Sequence, residues 1–290
     1  MLNNPDIGAH TNIFCVIGHP IEHSMSPVMH NAALNDLSLD YVYLAFDVPP
    51  NNLKKAILEY KKSNIKGINV TIPHKEAIIQ YLDELDPLSK QIGAVNTIKN
   101  EGGVLLGRNT DALGAKQAIA DAGFKIEGKK ALILGAGGAA RAISFALSEK
   151  IDEIFISNRT EERATKLAKE LQDKTNVKAI GKDMSEKTLR TLVYSVDILI
   201  NTTPIGMYPK IDISPISKDL LNENLFIFDI IYNPLQTRLL KDAKEIGSKT
   251  LNGLDMFINQ GALAFEWWTG KKPNVKLMKE KIIEQLGKKR

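Results

Sequence analysis

The sequence is poor in cysteine and in long apolar runs. Cys15 is the single cysteine among 290 residues, so the chain cannot form an internal disulfide or a metal cluster held by several thiolates. No uncharged run reaches the length of a membrane span, and the first residues lack the basic and apolar regions of a secretory signal. We therefore expect a cytoplasmic enzyme or binding protein with no membrane partner.

The chain also has little net charge. The chain carries 38 basic and 34 acidic side chains, and basic residues gather late in the sequence, at Lys271, Lys272 and 288–290. Because no long basic run with interleaved aromatic residues is present, this pattern favours a solvated helix over nucleic-acid binding. The length suggests about two globular domains.

Patterns that indicate a metal site are missing as well. All five histidines lie at or before position 74, and the sequence holds no HExxH motif and no cysteine-rich pattern. His19 and His23 have the i,i+4 spacing of a helix, but Pro20 between them disfavours a helix there. We expect no metal.

A glycine-rich turn is the most informative feature that is present. A short apolar strand predicted over 131–134 leads into Gly135, Gly137 and Ala140, and a predicted helix follows over 139–149. In a dinucleotide-binding unit, residues with this spacing allow a tight turn, the approach of a pyrophosphate and close helix–strand packing. The N–H groups at the helix start suit phosphates. A glycine turn without a ligand is the alternative that the motif alone leaves open.

The end of the next predicted strand indicates which dinucleotide is bound. Units that bind NAD place an acidic residue there, whereas here the strand over 154–157 is followed by Asn158, Arg159 and Thr160, with Arg163 one helical turn further on. A planar guanidinium suits a 2′-phosphate. The sequence therefore predicts NADP, with a solvated arginine as the alternative.

Two serines precede a predicted helix near the N-terminus. Pro27 suits the first position of a helix over 28–37, and Ser26 suits its N-cap. Capping does not account for Ser24, and two hydroxyls at a helix start form a candidate carboxylate site.

Polar residues also follow the predicted strands over 66–72 and 93–98. Asn69 and Thr71 share one face near the end of the first of these strands, a position that indicates a ligand crevice in a parallel sheet. A helix predicted to open at 73–76 puts Lys75 at its positive end, which would favour proton exchange. A surface lysine paired with a glutamate is the alternative. Asn96 interrupts the second strand.

Asp111 precedes a helix predicted over 112–122, where an N-cap role is a sufficient explanation. Only the whole set of polar residues at strand ends points to a site. Further strands predicted over 196–200 and 225–231 alternate with helices, which indicates a doubly wound parallel sheet.

With these pieces placed, the chain resembles shikimate dehydrogenases through most of its length. Nine segments follow the order of that family's motifs, which is far more specific than a glycine motif alone. They are 18–31 (GHPIEHSMSPVMHN), 69–75 (NVTIPHK), 93–97 (GAVNT), 107–114 (GRNTDALG), 135–139 (GAGGA), 158–160 (NRT), 201–207 (NTTPIGM), 232–234 (YNP) and 253–260 (GLDMFINQ).

The resemblance implies an α/β fold in two parts. Residues 1–113 with 255–290 would form an N-terminal α/β substrate domain to which the C-terminal helices return, and 114–254 a Rossmann-type doubly wound parallel-sheet domain for NADP. The implied activity is NADP-dependent interconversion of 3-dehydroshikimate and shikimate, a step in chorismate and aromatic amino acid biosynthesis. Hydride would move between the nicotinamide C4 and the substrate C3.

Carried over by position, the resemblance also implies a role for each motif residue. The expected acid/base is Lys75, with Asp111 beside it. The residues expected to bind substrate are Ser24, Ser26 and Tyr232 at its carboxylate, and Asn69, Thr71, Asn96, Asp111 and Gln260 at its ring hydroxyls. Those expected at the cofactor phosphates are Gly135, Ala136, Gly137, Gly138, Ala139, Asn158, Arg159, Thr160 and Arg163, and those bordering the nicotinamide are Ile230, Gly253 and Met256.

Two other functions stay open on the sequence. A quinate/shikimate dehydrogenase would tolerate an extra ring hydroxyl, which motifs do not report. A non-catalytic NADP(H)-binding sensor would need neither Lys75 nor Asp111, so their presence favours an enzyme. The expected partner is a small-molecule substrate, and a homodimer is the oligomer to test.

Overall fold

The protein is built on two six-stranded sheets, one in each of two units. The computed structural model describes residues 7–288. Within that range, the first unit takes its residues from Met1–Asp111 and Ile258–Arg290, and the second is the continuous segment Ala112–Phe257. Residues 289 and 290 of the late basic cluster lie outside the described residues.

The sheet of the first unit is mixed. Its strands are β1 (Asn12–Gly18), β2 (Tyr41–Asp47), β3 (Ile65–Val70), β4 (Glu84–Leu85), β5 (Thr97–Glu101) and β6 (Val104–Arg108). They lie in the order β2-β1-β3-β5-β6-β4, with β1 parallel to β2 and β3, and with β5 antiparallel to its neighbours. The last five residues of β1 are buried, as expected for a strand covered on both faces.

The sheet of the second unit is parallel throughout. Its strands are β7 (Lys130–Leu134), β8 (Glu153–Ser157), β9 (Lys178–Lys182), β10 (Ile198–Asn201), β11 (Phe226–Asp229) and β12 (Lys249–Leu251). Their spatial order is β12-β11-β10-β7-β8-β9. Counted from β7, this is the 3-2-1-4-5-6 order of dinucleotide-binding folds. The predicted fold class is therefore confirmed.

Ten α-helices connect and cover the strands of the described range. They are α1 (Ser26–Asp36), α2 (Leu53–Lys62), α3 (Pro87–Ile92), α4 (Thr110–Asp121), α5 (Gly138–Leu147), α6 (Glu161–Lys174), α7 (Glu186–Val193), α8 (Arg238–Ile246), α9 (Leu254–Thr269) and α10 (Val275–Lys288). Short 3₁₀ helices occupy Pro50–Asn52, Ala77–Tyr81 and Lys218–Leu220. Across residues 7–288, no helix combines the length and the apolar character that crossing a membrane requires.

A tryptophan of α9 packs directly on β3. The indole N–H of Trp268 donates to the carbonyl of Ile98, with an N–O distance of 2.9 Å. A β-carbon at Gly67 would lie only 2.6 Å from that indole. Glycine is therefore needed at this point of β3, because it lets the sheet backbone approach the ring closely.

Two element predictions in the first unit are wrong. No α-helix opens at 73–76, because tertiary bonds hold that backbone in turns: the Lys75 carbonyl accepts from the N–H of Val95, and the His74 ring contacts the Val48 carbonyl at 2.6 Å. The strand predicted over 93–98 begins only at Thr97, since Gly93 ends α3 in a left-handed conformation with φ 70°.

Candidate active site

Lys75 and Asp111, which follow strands β3 and β6 of the first unit, form an ion pair. The distance from Lys75 Nζ to Asp111 Oδ2 is 2.5 Å, and the two side chains are only 14% and 8% exposed. Asp111 lies inside the first turn of α4, so its prediction as an N-cap is wrong. That turn favours a carboxylate, because the N-terminal end of a helix is positive. Because no helix opens at 73–76, the charge beside Lys75 is the Asp111 carboxylate and not the positive end of a helix.

Three predicted amides come together beside this pair. Asn96 is 2% exposed, and its Nδ2 donates to Thr110 Oγ1 at 3.0 Å and to Gln260 Oε1 at 3.3 Å. Its Oδ1 accepts from the backbone N–H of Thr110 at 2.7 Å. Asn69 joins the group through Nδ2, which donates to the Asn96 carbonyl at 3.2 Å. These buried amides are hydrogen-bonded to one another, which fixes their positions before any ligand arrives.

The two predicted serines lie at the start of α1. The helix begins at Ser26 itself, and Met25 occupies the N-cap, so the prediction that Ser26 caps the helix is wrong. The N–H of Ser26 donates to Ser24 Oγ at 3.3 Å. Within residues 7–288, neither serine hydroxyl donates a hydrogen bond. Thr71 follows the end of β3 and is half-buried.

The glycine turn of the second unit has the geometry that its spacing predicts. Gly135 follows β7 with φ +107°, and a β-carbon there would lie 2.6 Å from Thr202 Oγ1. Gly137 is the N-cap of α5, and a β-carbon on it would have no heavy atom within 4 Å. Ala140, in the first turn of α5, is fully buried. The open space at Gly137 therefore suits the approach of a pyrophosphate. Ala136, Gly138 and Ala139 are half-buried around it.

Two arginines lie at the end of β8 and in the first turn of α6. Arg159 and Arg163 are both exposed, and among residues 7–288 neither forms a salt bridge. Asn158 Nδ2 donates to the carbonyl of Thr160 at 2.9 Å, which shapes the turn between them. Thr160 occupies the N-cap of α6, although its side chain makes no capping bond. Exposed guanidiniums with no carboxylate partner fit a phosphate ligand.

The residues expected at the nicotinamide also lie together in the second unit. Gly253 packs on the backbone of Ile230, so tightly that a β-carbon would overlap the Ile230 carbonyl oxygen. Met256 is buried in the first turn of α9. Tyr232 stacks on Phe257, with a distance of 4.1 Å between ring centroids.

Sequence reasoning missed a buried carboxyl at the end of β11. Asp229 accepts from Thr237 Oγ1 at 2.7 Å, from Asn201 Nδ2 at 3.0 Å and from the N–H of Ile231 at 3.2 Å. Burial raises its pKa to about 6 in spite of these bonds. An acidic residue ending an apolar strand was the available signal.

Thr97, Thr110 and Tyr43 were also missed, although all three are bonded to the buried amides. Each threonine follows a predicted asparagine or lies beside Asp111.

Of the His, Cys, Asp and Glu side chains in the described part of the chain, no three lie close enough to hold a metal ion.

Comparisons with known proteins cover nearly the whole chain. Residues 16–98 match the family described as the shikimate dehydrogenase substrate binding domain, 116–234 match the shikimate / quinate 5-dehydrogenase family, and 253–283 match the shikimate 5'-dehydrogenase C-terminal domain. The shikimate dehydrogenase (NADP(+)) of Methanocaldococcus jannaschii is 52% identical over 283 residues, which are 97% of this chain and 100% of that one.

Solved structures agree with these matches. A crystal structure of a shikimate dehydrogenase in complex with NADP+ is 49% identical, has a TM-score of 0.89 and covers 97% of each chain. The Listeria monocytogenes shikimate 5-dehydrogenase in complex with shikimate and NAD is 42% identical with a TM-score of 0.86, and covers 96% of this chain and 99% of its own. With identity this high over almost the full length, the chain belongs to the shikimate dehydrogenase family.

Proposed function

We propose that this protein is an NADP-dependent shikimate dehydrogenase. It interconverts 3-dehydroshikimate and shikimate, a step in the biosynthesis of chorismate and the aromatic amino acids. The observation that supports this most directly is the shielded Lys75–Asp111 ion pair beside a buried amide cluster, in a chain of this family. A protein that only bound NADP(H) would have no use for such a pair.

Lys75 and Asp111 would handle the proton of the reacting hydroxyl. In the direction of reduction, the Lys75 ammonium donates a proton to the oxygen that develops at C3, and in oxidation the Lys75 amine accepts the proton of the C3 hydroxyl. Asp111 holds the lysine at 2.5 Å and so fixes the point from which the proton moves. When bound, NADP supplies the acceptor, and NADPH the donor, of the hydride.

The other predicted residues would bind and orient the two ligands. Asn69, Thr71, Asn96 and Gln260 are proposed to bind ring hydroxyls, and Ser24, Ser26 and Tyr232 the carboxylate. In the second unit, residues 135–139 are proposed to hold the pyrophosphate, with Asn158, Arg159, Thr160 and Arg163 at the remaining phosphate. Ile230, Gly253 and Met256 would border the nicotinamide. The open space at Gly137 and the unpaired guanidiniums fit this cofactor.

The proposed division of labour gives residues 1–113 with 255–290 to the substrate and 114–254 to NADP. We also propose that the protein acts in the cytoplasm, as a homodimer, without a nucleic-acid or membrane partner. Light scattering on the eluting peak of a gel-filtration column tests the dimer, and a mass equal to one chain would contradict it.

An absorbance assay tests the activity itself. Purified protein is mixed with shikimate or quinate, each with NADP and with NAD, and the reduced cofactor is followed. We expect turnover that is fastest with shikimate and NADP. Equal rates with quinate would indicate a quinate/shikimate dehydrogenase. If no pair of ligands reacts although NADP binds, the protein would be a sensor and the proposed function would be wrong.

A further inference from the structure

Tyr43 contacts the predicted substrate-binding amide of Asn69 from inside the protein. The Tyr43 hydroxyl donates to Asn69 Oδ1 at 2.6 Å, and both residues are buried, at 1% and 6% exposure. They lie on β2 and β3, which flank β1 in the sheet, and are 26 residues apart in the chain. Neither the motifs nor the proposed mechanism gives Tyr43 a function.

The hydrogen bonds of Asn69 leave it one free position. Its Nδ2 carries two hydrogens, which point to the Asn96 carbonyl and to Thr97 Oγ1, each at 3.2 Å. Its Oδ1 can accept two hydrogen bonds, and the Tyr43 hydroxyl takes one of them. The side chain can therefore offer a ligand only the second acceptor position of Oδ1. A ring hydroxyl that donates a hydrogen bond is the group that fits.

Tyr43 is itself held on two sides by α1. The Asn31 side chain bonds both backbone groups of Tyr43, accepting from its N–H at 2.8 Å and donating to its carbonyl at 2.9 Å. The His30 ring lies parallel to the Tyr43 ring, with 4.3 Å between centroids and 1° between planes.

The His30 ring serves as a neutral packing surface for Tyr43 and not as an ionisable group. It is completely buried, and neither ring nitrogen has a hydrogen-bond partner among the described residues. Burial lowers the pKa of His30 to about 3, so the ring is neutral at any pH where the enzyme works. Its stacking on Tyr43 does not change with pH in that range.

We propose that Tyr43 is a positioning residue for substrate binding: its hydroxyl fixes the orientation of the Asn69 amide, so that Oδ1 faces a ring hydroxyl of the substrate. His30 and Asn31 hold Tyr43 in place for this purpose, which gives a function to the end of the motif at 18–31. The inference rests on the proposed function. Without the tyrosine hydroxyl, the amide loses the hydrogen bond that holds Oδ1 and keeps only those of Nδ2. Oδ1 is then held less firmly in the orientation that accepts from the substrate hydroxyl.

The test is Tyr43→Phe, which removes the hydroxyl and keeps the ring that stacks on His30. We expect the KM for shikimate to rise about tenfold, the upper end for the loss of one hydrogen bond, while kcat and the KM for NADP stay within about twofold. Calorimetric titration with shikimate alone should show the same loss of affinity. A KM for shikimate within twofold of the parent value would overturn the inference.

The matched control is Tyr41→Phe. Tyr41 lies two residues earlier on β2 and stacks on Phe14, in the aromatic cluster around Trp268 that the Tyr43 ring also joins. Its hydroxyl has no hydrogen bond within the described residues, so shikimate binding should not change. If Tyr41→Phe raised the KM as much as Tyr43→Phe, the effect would come from the aromatic cluster and not from Asn69.

A double-mutant cycle separates positioning from a merely structural effect. In an Asn69→Ala background, Tyr43→Phe should change shikimate affinity by less than about twofold, because no amide is left to orient. Asn69→Ser provides a second background if the alanine variant does not fold. A full tenfold effect in these backgrounds would contradict the inference. If the parent protein binds no shikimate, the proposed function fails first, and a parent that turns over shikimate keeps the two outcomes distinct.

Discussion

The predicted binding residues of the two units differ in how far they are already bonded to other protein groups. In the first unit, the residues predicted at the reacting and ring hydroxyls are largely bonded to one another, such as Lys75 to Asp111 and Asn96 to Gln260. In the second unit, the predicted cofactor residues are left open. Arg159 has no salt bridge within the described residues, and the space beside Gly137 is empty of protein atoms.

The difference follows from the chemistry of the two ligands. The hydroxyls of the substrate ring are recognised by donors and acceptors held at fixed positions, and unpaired buried amides would cost stability in the free protein. A phosphate carries its own charge and can draw exposed guanidiniums to itself. The predicted substrate residues can therefore be held rigidly, while the predicted cofactor site needs only exposed cations and open space.

The largest effect is expected from Lys75→Ala. Loss of the acid/base should lower kcat by about 10²–10⁴-fold, with little change in the affinity for shikimate. Steady-state rates and a shikimate titration measure both quantities. Lys61→Ala is the matched control, because Lys61 forms a comparable but more exposed pair with Asp83. If Lys75→Ala kept normal turnover, Lys75 would have no part in proton transfer.

A smaller effect is expected from Arg159→Ala. Losing charge-assisted bonds of about 1.5–3 kcal/mol should reduce the preference for NADPH over NADH by about 10- to 150-fold, and the ratio of kcat/KM values reports it. Arg190→Ala is the control, since Arg190 is an exposed arginine already paired with Glu186 and Asp219. An unchanged ratio would mean that another residue reads the 2′-phosphate.

Gly137→Ala tests whether the space in the glycine turn is kept for the cofactor. The new methyl group meets no protein atom, so the free energy of unfolding should fall by no more than about 1 kcal/mol, the cost of alanine in place of glycine at an N-cap. The KM for NADP should nevertheless rise about tenfold, equivalent to about 1.4 kcal/mol. Gly67→Ala, which would press on Trp268, should instead lower the melting temperature. Normal NADP binding by Gly137→Ala would show that the space has no such purpose.

The smallest effect on turnover is expected from Asp229→Asn, which should act on stability. The pKa of Asp229 is raised to about 6 in the folded protein from an ordinary value of 3.8, so the folded state binds more protons between these values. This contribution to stability is complete below pH 4 and is lost as the pH rises through 6, by roughly 2–3 kcal/mol.

Melting temperatures from pH 4 to pH 7 measure this prediction. The parent protein should lose stability relative to Asp229→Asn as the pH rises. The control is Asp173→Asn, at an exposed position of α6. Its melting temperature should change with pH in the same way as that of the parent protein. A constant difference between the parent protein and Asp229→Asn across the range would contradict the raised pKa.

The parts of the fold that local pattern determines could be predicted from the sequence. The strand, glycine turn and helix around Gly135 are consecutive in the chain, and small residues at this spacing are typical of a dinucleotide-binding turn. The alternation of strands and helices after residue 130 was likewise enough to indicate a parallel sheet, which the order of β7 to β12 confirms.

The site in the first unit could be predicted only from the whole set of polar residues at strand ends, and not from any one of them. The local roles given to Lys75 and Asp111, a helix start and an N-cap, were both wrong. Long-range bonds hold the backbone around Lys75 in turns, and α4 begins earlier than predicted, at Thr110. Their pairing joins residues 36 apart. Tyr43 reads as an ordinary strand aromatic, since its contact with Asn69 depends on the pairing of β2 and β3 with β1.

The packing of Trp268 on Gly67 has a consequence for synthesis of the chain. The second unit is continuous and has all its residues once position 257 has left the ribosome. The sheet of the first unit, although translated earlier, lacks the indole that covers β3 until nearly the last residues emerge. At about 5–20 residues per second, the nascent protein must therefore keep that apolar strand from aggregating for many seconds.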